Sequence, residues 1–88
     1  MTTRLYLEEI IQPAALDFGA RVKARRKALG LTQTDIYTRT DIAIGYLSTI
    51  ERGRANPTLD LMVKLSAALE MQIWDLLRPD EQAENTPP

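Results

Sequence analysis

Apolar residues recur at spacings of three and four along most of the chain, and they seldom alternate with polar ones as they would in a strand. This pattern predicts an all-α domain of five short helices. Phe18, Val22 and Leu29 share one face of the first helix. Gly30 directly follows, and glycine at that place is expected to end the helix in the left-handed conformation.

A second and a third helix are predicted close together. Thr32 is suited to cap a helix over residues 33–40, because its hydroxyl can accept a hydrogen bond from the backbone N–H near Asp35, whose carboxylate also complements the helix dipole. Ile36 is its inward anchor. After a short turn, the inner side and the end of a third helix are marked by Leu47, Ile50 and Gly53.

The next segment, residues 54–57, is predicted to be a loop, because Pro57 drives the residue before it out of helical geometry. Thr58 can cap the fourth helix. The apolar stripes of the last two helices are Leu59, Met62, Leu65, Ser66 and Leu69, then Ile73, Leu76 and Leu77. Pro79 closes the fifth helix, and residues 79–88 are expected to form a mobile acidic tail.

Residues 1–17 are predicted to form an N-terminal arm, placed before a domain of residues 18–78. Alternating Leu5 and Leu7 favour a strand, whereas apolar positions at Leu7, Ile10 and Ile11 favour a helical turn, and the sequence leaves both open. Pro13 ends either element and also suits the first turn of the first helix. The arm would cover the core or embrace a second subunit.

Composition excludes several classes of function. The chain has 88 residues, enough for one domain, with neither cysteine nor histidine. Disulfides, thiolate metal sites, cysteine nucleophiles and the commonest general base are therefore absent, so neither an enzyme, a metal site nor a cofactor is expected. Apolar runs are short and the N-terminus does not resemble a signal peptide, so we expect no membrane association and a cytoplasmic location.

Charge is unevenly distributed along the chain. Residues 19–54 carry eight basic and three acidic side chains, a net charge of +5, whereas the rest of the chain carries −6. Such asymmetry suggests a polarised domain with one face suited to a polyanion, although a solvated helix face would explain the charges equally well.

Three segments carry a resemblance to a known family. They are FGARVKARRKALGLTQ at residues 18–33, YLSTIERGRANPTLDLMVKLSAALE at 46–70, and IWDLL at 73–77. In this order and spacing, with ERG beginning eighteen residues after Gln33, they resemble the Cro/cI-type helix-turn-helix family of lambda-like phage repressors and their bacterial relatives. The resemblance implies a five-helix lambda-repressor-like domain that binds double-stranded DNA.

Roles for individual residues follow from this resemblance. The third helix would read the major groove, while Gln33 at a helix N-terminus would reach a phosphate or brace the reading helix. Further phosphate contacts would come from residues beyond the reading helix, namely Arg52, Arg54 and Asn56. Arg26 and Glu51 would form a structural ion pair that locks the first helix to the end of the third.

The sequence also departs from the family. Asp41 replaces the usual glycine of the turn, but aspartate tolerates the left-handed conformation. Tyr37 replaces a small residue, so we expect a local repacking, with either a wider helix angle or an outward-pointing ring. Ala43 replaces the usual Ser or Thr cap, so the reading helix loses a side-chain cap that typically contributes about 1 kcal/mol.

The positions predicted to face the bases are Ile44, Gly45, Tyr46 and Thr49. Ile44 and Gly45 offer no side-chain hydrogen bonds, although Ile44 can pack on a thymine methyl group and Gly45 permits close backbone approach. Tyr46 and Thr49 can donate or accept hydrogen bonds. If these contacts are weak, the helix would depend on phosphate contacts and DNA shape.

The prediction for function is a sequence-specific transcriptional regulator of the repressor type that binds a palindromic operator as a homodimer. Trp74 is the candidate dimer residue, although it could instead fold over its own core. The alternative is an antitoxin or another protein-interaction module of the same fold, motivated by the apolar segment 44–46 and the arm.

Overall fold

The computed structural model describes residues 12–78, which contain five α-helices and no strand. The helices are α1 (Pro13–Ala28), α2 (Gln33–Thr40), α3 (Ile44–Glu51), α4 (Leu59–Ala68) and α5 (Ile73–Leu77). Helix α1 packs against α3 and α5, α2 packs against α3 and α4, and α4 packs against α5. The predicted all-α fold is confirmed.

Most of the predicted inward positions are in the core. The core draws on all five helices and on the turn before α3. Its buried residues are Phe18, Val22, Ile36, Ile42, Leu47, Ile50, Leu65, Leu69 and Leu76. Leu29 and Met62 pack on this cluster while partly exposed. The three- and four-residue spacing therefore located the buried faces.

Leu59 and Leu77 are exceptions, because both were expected in the apolar stripes and both are exposed, by 63% and 42%. Leu59 is the first residue of α4 and Leu77 the last of α5. Both side chains belong to the apolar stripe of their helix, but at a helix end that stripe is covered only if a neighbouring helix extends as far. Spacing alone does not show where those neighbours stop.

Helix α1 begins at Pro13, so residues 13–17 are helical although the predicted arm included them. Proline is favourable at this first helical position because its φ angle is already helical and its missing N–H would have had no partner within the helix. Residues 1–11 and 79–88 lie outside the described residues. The division into arm, domain and tail beyond these limits stays a prediction.

The predicted helix ends and caps occur. Gly30 and Gly53 have φ angles of 73° and 76° and follow the ends of α1 and α3. The hydroxyl of Thr58 accepts a hydrogen bond from the N–H of Leu61. Ala43 precedes α3 without any side-chain cap. Helix α3 therefore lacks a local side-chain contribution at its start, and its position depends on tertiary packing.

The turn between α2 and α3 is held by Asp41, Thr40 and Ile42. Asp41 adopts the left-handed conformation at φ 64°, as expected for the residue that replaces glycine here. The buried hydroxyl of Thr40 donates to the carbonyl of Ile36 (2.7 Å) and accepts from the N–H of Ile42 (3.0 Å). Together with the burial of Ile42, these bonds fix the angle between the two helices.

The start of α2 has a reciprocal capping box. Asp35 N–H donates to the hydroxyl of Thr32 (3.0 Å), and Thr32 N–H donates to the carboxylate of Asp35 (2.8 Å). The backbone N–H of Thr32, followed by its hydroxyl, lowers the pKa of Asp35 below the usual value of 3.8. The ionised carboxylate is therefore the form that stabilises the fold.

This capping box has a pH-dependent consequence. Because the pKa of Asp35 is lower in the folded chain than in the unfolded one, its contribution is complete above the unfolded value and is lost as pH falls through the folded value. We expect an NMR titration to show the lowered pKa. In Thr32→Ala the pKa should rise only partly, because the backbone N–H remains. An Asp35 pKa at or above the usual value would contradict the capping box.

Candidate nucleic-acid interface

Helix α3 exposes one face opposite its two core anchors. At about 100° per residue, the side opposite Leu47 and Ile50 is centred on Gly45 and Arg52, which lie about 20° apart around the helix axis. Leu47 and Ile50 are 0% and 1% exposed, whereas Gly45 and Arg52 are exposed. The outward face of the helix therefore runs from Gly45 to Arg52.

The predicted pair of Arg26 and Glu51 is present. Arg26 Nε donates to Glu51 Oε2 (2.7 Å) and Nη2 donates to Oε1 (3.0 Å), while Nη1 donates to the carbonyl of Leu31 (2.9 Å). Their side chains are only 10% and 4% exposed. Hydrogen bonding to Glu51 raises the pKa of Arg26 despite the opposing effect of burial. The pair ties α1 to the last residue of α3.

Gln33 joins the same network. Its Nε2 donates to Glu51 Oε1 (3.2 Å), so the side chain at the start of α2 braces the end of α3. This was one of the two roles predicted for the residue. The bond uses the amide nitrogen, and the backbone N–H of Gln33 remains at the positive end of the α2 dipole. A phosphate contact from Gln33 therefore stays a prediction, with its backbone N–H as donor.

Four arginines of the basic segment are bonded to their own chain. Besides Arg26, three of them donate a hydrogen bond from the guanidinium group to a backbone carbonyl oxygen: Arg25 to Leu69 (3.0 Å), Arg39 to Ala68 (3.0 Å) and Arg21 to Arg78 (2.8 Å). Cations at the negative C-terminal end of α4 complement its dipole. Net charge along the sequence thus overstates the number of side chains available to a polyanion.

Arg52 also has partners, and they lie on the outward face of α3. Its Nη1 donates to Ser48 Oγ (2.7 Å), and its Nη2 lies 3.5 Å from Thr49 Oγ1. The hydroxyl of Thr49 in turn donates to the carbonyl of Gly45 (3.0 Å). The guanidinium group therefore lies back along the helix instead of extending from its end. Sequence reasoning omitted Ser48 from the site, although its i, i+4 spacing from Arg52 is a detectable signal.

Ile44 and Tyr46 lie about 100° to either side of Gly45 and are 41% and 38% exposed. Tyr46 borders a concave surface of about 450 Å³ together with residues of the turn and of α4, including Asp60 and Lys64. Tyr46 therefore lies on the side of α3 that borders α4. Of the four predicted base-facing residues, Gly45 and Thr49 share the outward face with Ser48 and Arg52, and Ile44 and Tyr46 flank it.

Gly45 is not required by the packing of its own chain. A methyl group there would have no heavy atom within 4 Å apart from its own helix backbone and chain neighbours. Glycine inside a helix is less favourable than alanine by about 0.5–1 kcal/mol. Gly45 therefore lowers helix stability without relieving an internal contact, which is typical of a place where a partner approaches the backbone.

Gly45→Ala should consequently change stability and partner binding in opposite directions. We expect the free energy of unfolding to rise by about 0.5–1 kcal/mol in urea denaturation, because the variant favours the helix without a clash. Binding to a partner that approaches this backbone should weaken. Unchanged binding by the more stable variant would show that nothing approaches α3 closely at Gly45.

The loop after α3 carries the other predicted phosphate contacts. Arg54 and Asn56 are exposed and border a groove of about 430 Å³ that also includes Phe18, Pro57 and Met62. The groove lies between the start of α1, this loop, α4 and the end of α5. Arg54 and Asn56 thus border the same groove in the loop after α3, whereas the side chain of Arg52 lies along the outward face of the helix.

Two aromatic side chains singled out in the sequence, Tyr37 and Trp74, are exposed on the surface. Tyr37 is 46% exposed, so its ring points outward, which was one of the two accommodations expected. Trp74 in α5 is 65% exposed and does not fold over its own core. A large apolar side chain at this exposure is available to a second molecule, so its role in a dimer stays a prediction.

Five helices with a tight turn between the second and third, and an outward strip on the third helix, define the class of helix-turn-helix domains. A helix-turn-helix family model matches residues 22–73. The chain belongs to the Cro/cI-type helix-turn-helix family of DNA-binding transcriptional regulators, which are not enzymes. The family resemblance is confirmed.

Individual relatives agree with this assignment. The chain is 34% identical over 64 residues to the uncharacterized HTH-type transcriptional regulator y4dJ of Sinorhizobium fredii, a match that covers 73% of this chain and 83% of that protein. It is 33% identical over 67 residues to the HTH-type transcriptional regulator SinR of Bacillus licheniformis, covering 75% and 60%. With the immunity repressor protein of Bacillus phage phi105 it shares 37% over 71 residues, covering 75% and 49%.

The chain thus spans less than two thirds of the length of SinR and about half that of the phage repressor. Among solved structures, the restriction-modification controller protein C.AhdI from Aeromonas hydrophila superimposes with a TM-score of 0.67 at 31% identity, over 70% of this chain and 94% of that one. The clp gene regulator ClgR from Corynebacterium glutamicum superimposes with a TM-score of 0.71 at 26% identity, over 77% of this chain and 72% of that one.

Within residues 12–78, no helix has the length and apolar character that crossing a bilayer requires.

Proposed function

We propose that this protein is a sequence-specific regulator of the repressor type that occupies promoter DNA in the cytoplasm. The observation that carries the proposal is the outward face of α3, where Gly45, Ser48, Thr49 and Arg52 are presented to a partner while buried Leu47 and Ile50 hold the helix. A helix presented in this way fits the major groove, and its side chains then meet base edges.

Phosphate contacts flank that face in the proposed complex. The N-terminus of α2 provides the backbone N–H of Gln33, and the loop after α3 provides Arg54 and Asn56 on the other side. These groups fix the register of the protein on DNA and make its affinity depend on salt. Gln33 also braces Glu51, so it couples the phosphate contact to the position of the reading helix.

Two copies are needed for a tight site in this proposal. One α3 of eight residues contacts few base pairs, so a two-fold dimer on a palindromic operator would supply the missing specificity. Exposed Trp74 on α5 is the proposed dimer residue. Trp74→Ala should then lower DNA affinity most at low protein concentration, where dimerisation limits binding.

A gel-shift titration with the upstream region of the protein's own gene tests the proposal. Specific binding should survive competitor DNA and weaken as salt rises. Arg54→Ala should weaken binding to all sequences alike and reduce the salt slope by about one. Arg78→Ala removes an exposed cation beyond α5 and is the charge-matched control that should leave binding unchanged. No salt-sensitive specific complex, even after selection from a random DNA pool, would overturn the function.

Ile44 is expected to contribute to base preference through apolar contact. Ile44→Ala should change the preferred sequence at thymine-containing positions, because the methyl contact disappears. Stability should change by less than about 0.5 kcal/mol, since the side chain is 41% exposed. Val63→Ala, a comparable truncation of an exposed residue in α4, is the control for site selection. Identical selected sites for wild type and Ile44→Ala would contradict the contact.

An antitoxin or another protein-interaction module of the same fold is the second candidate. The observation that favours it is the exposure of Ile44, Tyr46 and Trp74, three large apolar side chains on one small domain. Stable co-purification with the product of a neighbouring toxin-like gene, lost in Tyr46→Ala, would support it. Antitoxin activity and DNA binding are compatible, so both assays are needed.

A further inference from the structure

The geometry of α3 points to Arg52 as a base-reading residue that recognises a guanine in the major groove, with Ser48 as its positioning residue. This inference rests on the proposed function and refines it. The sequence assigned Arg52 to the phosphates because it follows the reading helix. The hydrogen bonds of its side chain place it elsewhere.

The first argument is direction. Arg52 is the C-cap residue that directly follows α3, in the right-handed region at φ −84° and ψ 0°. Around the helix axis it lies about 20° from Gly45 and on the side opposite buried Leu47 and Ile50. When α3 lies in a groove, that side faces the floor of the groove, whereas phosphates lie along its edges. Arg52 is therefore directed at base edges.

The second argument is position along the helix. Because Arg52 Nη1 donates to Ser48 Oγ at 2.7 Å, the guanidinium group lies about one helical turn back, level with the middle of α3. The approach of Nη2 to the Thr49 hydroxyl, at 3.5 Å, keeps it over the helix surface. A phosphate-binding arginine would instead extend beyond the helix end, where exposed Arg54 lies in the loop that follows α3.

The third argument is chemistry. Guanine presents two acceptors, O6 and N7, in the major groove, and arginine is the side chain that commonly donates to both. A guanidinium group has five N–H donors, so donors remain after the bonds to Ser48 and Thr49. Since these hydroxyls already order the side chain, less rotamer entropy is lost on binding. The first two positions of α3 offer no side-chain donor, because Ile44 and Gly45 are apolar.

The combination also explains why Gly45 is open. With no side chain at Gly45 and no heavy atom where its Cβ would stand, DNA can approach α3 closely enough for the retracted guanidinium group to reach a base. A longer residue at 45 would hold the groove away. The missing side chain at Gly45 and the Arg52 guanidinium group that lies back along the helix therefore serve the same contact with DNA.

The inference is tested by measuring how wild type, three variants and one control variant bind a selected site, and versions of that site in which each base pair in turn is replaced. Arg52→Ala should lose about 10- to 100-fold discrimination at one G·C pair in each half-site, and little at the other positions. Ser48→Ala should reduce discrimination at the same pair by a smaller factor. Ser48→Thr, which keeps the hydroxyl, should restore it.

Arg54→Ala is the matched control, since it removes an exposed arginine two residues away and should weaken all sequences alike. If Arg52→Ala also weakens every sequence equally and lowers the salt slope by about one, Arg52 is a phosphate contact and the inference is overturned while the proposed function stands. If the wild-type protein selects no sequence at all, the proposed function fails and the guanine assignment fails with it.

Discussion

Gly19→Ala should destabilise the domain by about 3 kcal/mol or more, although alanine is the better helix former. A Cβ atom at Gly19 would lie 2.1 Å from the carbonyl oxygen of Ile50, 3.0 Å from the N–H of Gly53 and 3.1 Å from the carbonyl oxygen of Glu51. These atoms are backbone, so they cannot move aside as a flexible side chain would. Helix α1 would have to separate from the end of α3, with a cost at the upper end of overpacking effects or above it.

Urea denaturation measures this change, and the chain provides its own control. Gly45→Ala makes the same substitution in a helix where the added methyl group meets no such neighbour, and it should stabilise the fold by about 0.5–1 kcal/mol. Opposite signs for the two variants would demonstrate the close approach at Gly19. A Gly19→Ala variant as stable as wild type would show that α1 and α3 are not in this contact.

The functional consequence of Gly19 concerns α3. The three backbone atoms that a Cβ at Gly19 would meet belong to the last turn of α3 and to Gly53 just after it. Partial separation of α1 would therefore shift the position of Arg52 and Arg54. Where Gly19→Ala remains folded at low temperature, we expect its DNA affinity to fall as well, and circular dichroism at the assay temperature distinguishes this from unfolding.

Glu51→Ala is the second large expected loss, about 3–5 kcal/mol. The substitution removes the carboxylate that receives two hydrogen bonds from Arg26 and one from Gln33, and leaves Arg26, with a side chain only 10% exposed, bonded to the Leu31 carbonyl alone. A buried charge without its counterion is far more costly than an exposed one.

A matched control is the more exposed ion pair of Arg78 and Asp75, whose side chains are 49% and 30% exposed. Asp75→Ala should cost no more than about 1 kcal/mol, because surface pairs contribute little. Equal losses in the two variants would contradict the special role of burial. The double variant Arg26→Met, Glu51→Leu should recover much of the stability, since it removes both charges.

For DNA binding, the expected effect of Glu51 is indirect. Its carboxylate connects α1, through Arg26, and the start of α2, through Gln33, to the end of the reading helix. Loss of the carboxylate should therefore reduce binding even at temperatures where the variant is folded. A double-mutant cycle with Gln33→Ala measures this connection, because residues that act through one network are not additive.

The sequence determined the elements of this protein and most of its buried faces, because spacing, capping residues and glycine or proline at helix ends are local properties. Thr32, Thr58 and the turn at Asp41 were predicted with the right roles. The pair of Arg26 and Glu51 followed from a family resemblance and not from spacing. No local rule joins residues 25 positions apart.

Only the tertiary structure decided which side chains remain available to a partner. Arg21, Arg25 and Arg39 contribute to the basic charge of residues 19–54 that suggested a face for a polyanion, yet each donates to a carbonyl of a distant helix end. Gly19 and Gly45 are both glycines in helices, and nothing in the local sequence distinguishes them. Yet Gly19 packs closely against the backbone at the end of α3, whereas no heavy atom of another element lies within 4 Å of a Cβ at Gly45. Such differences depend on which atoms of other helices stand within a few ångströms, and that is fixed by packing alone.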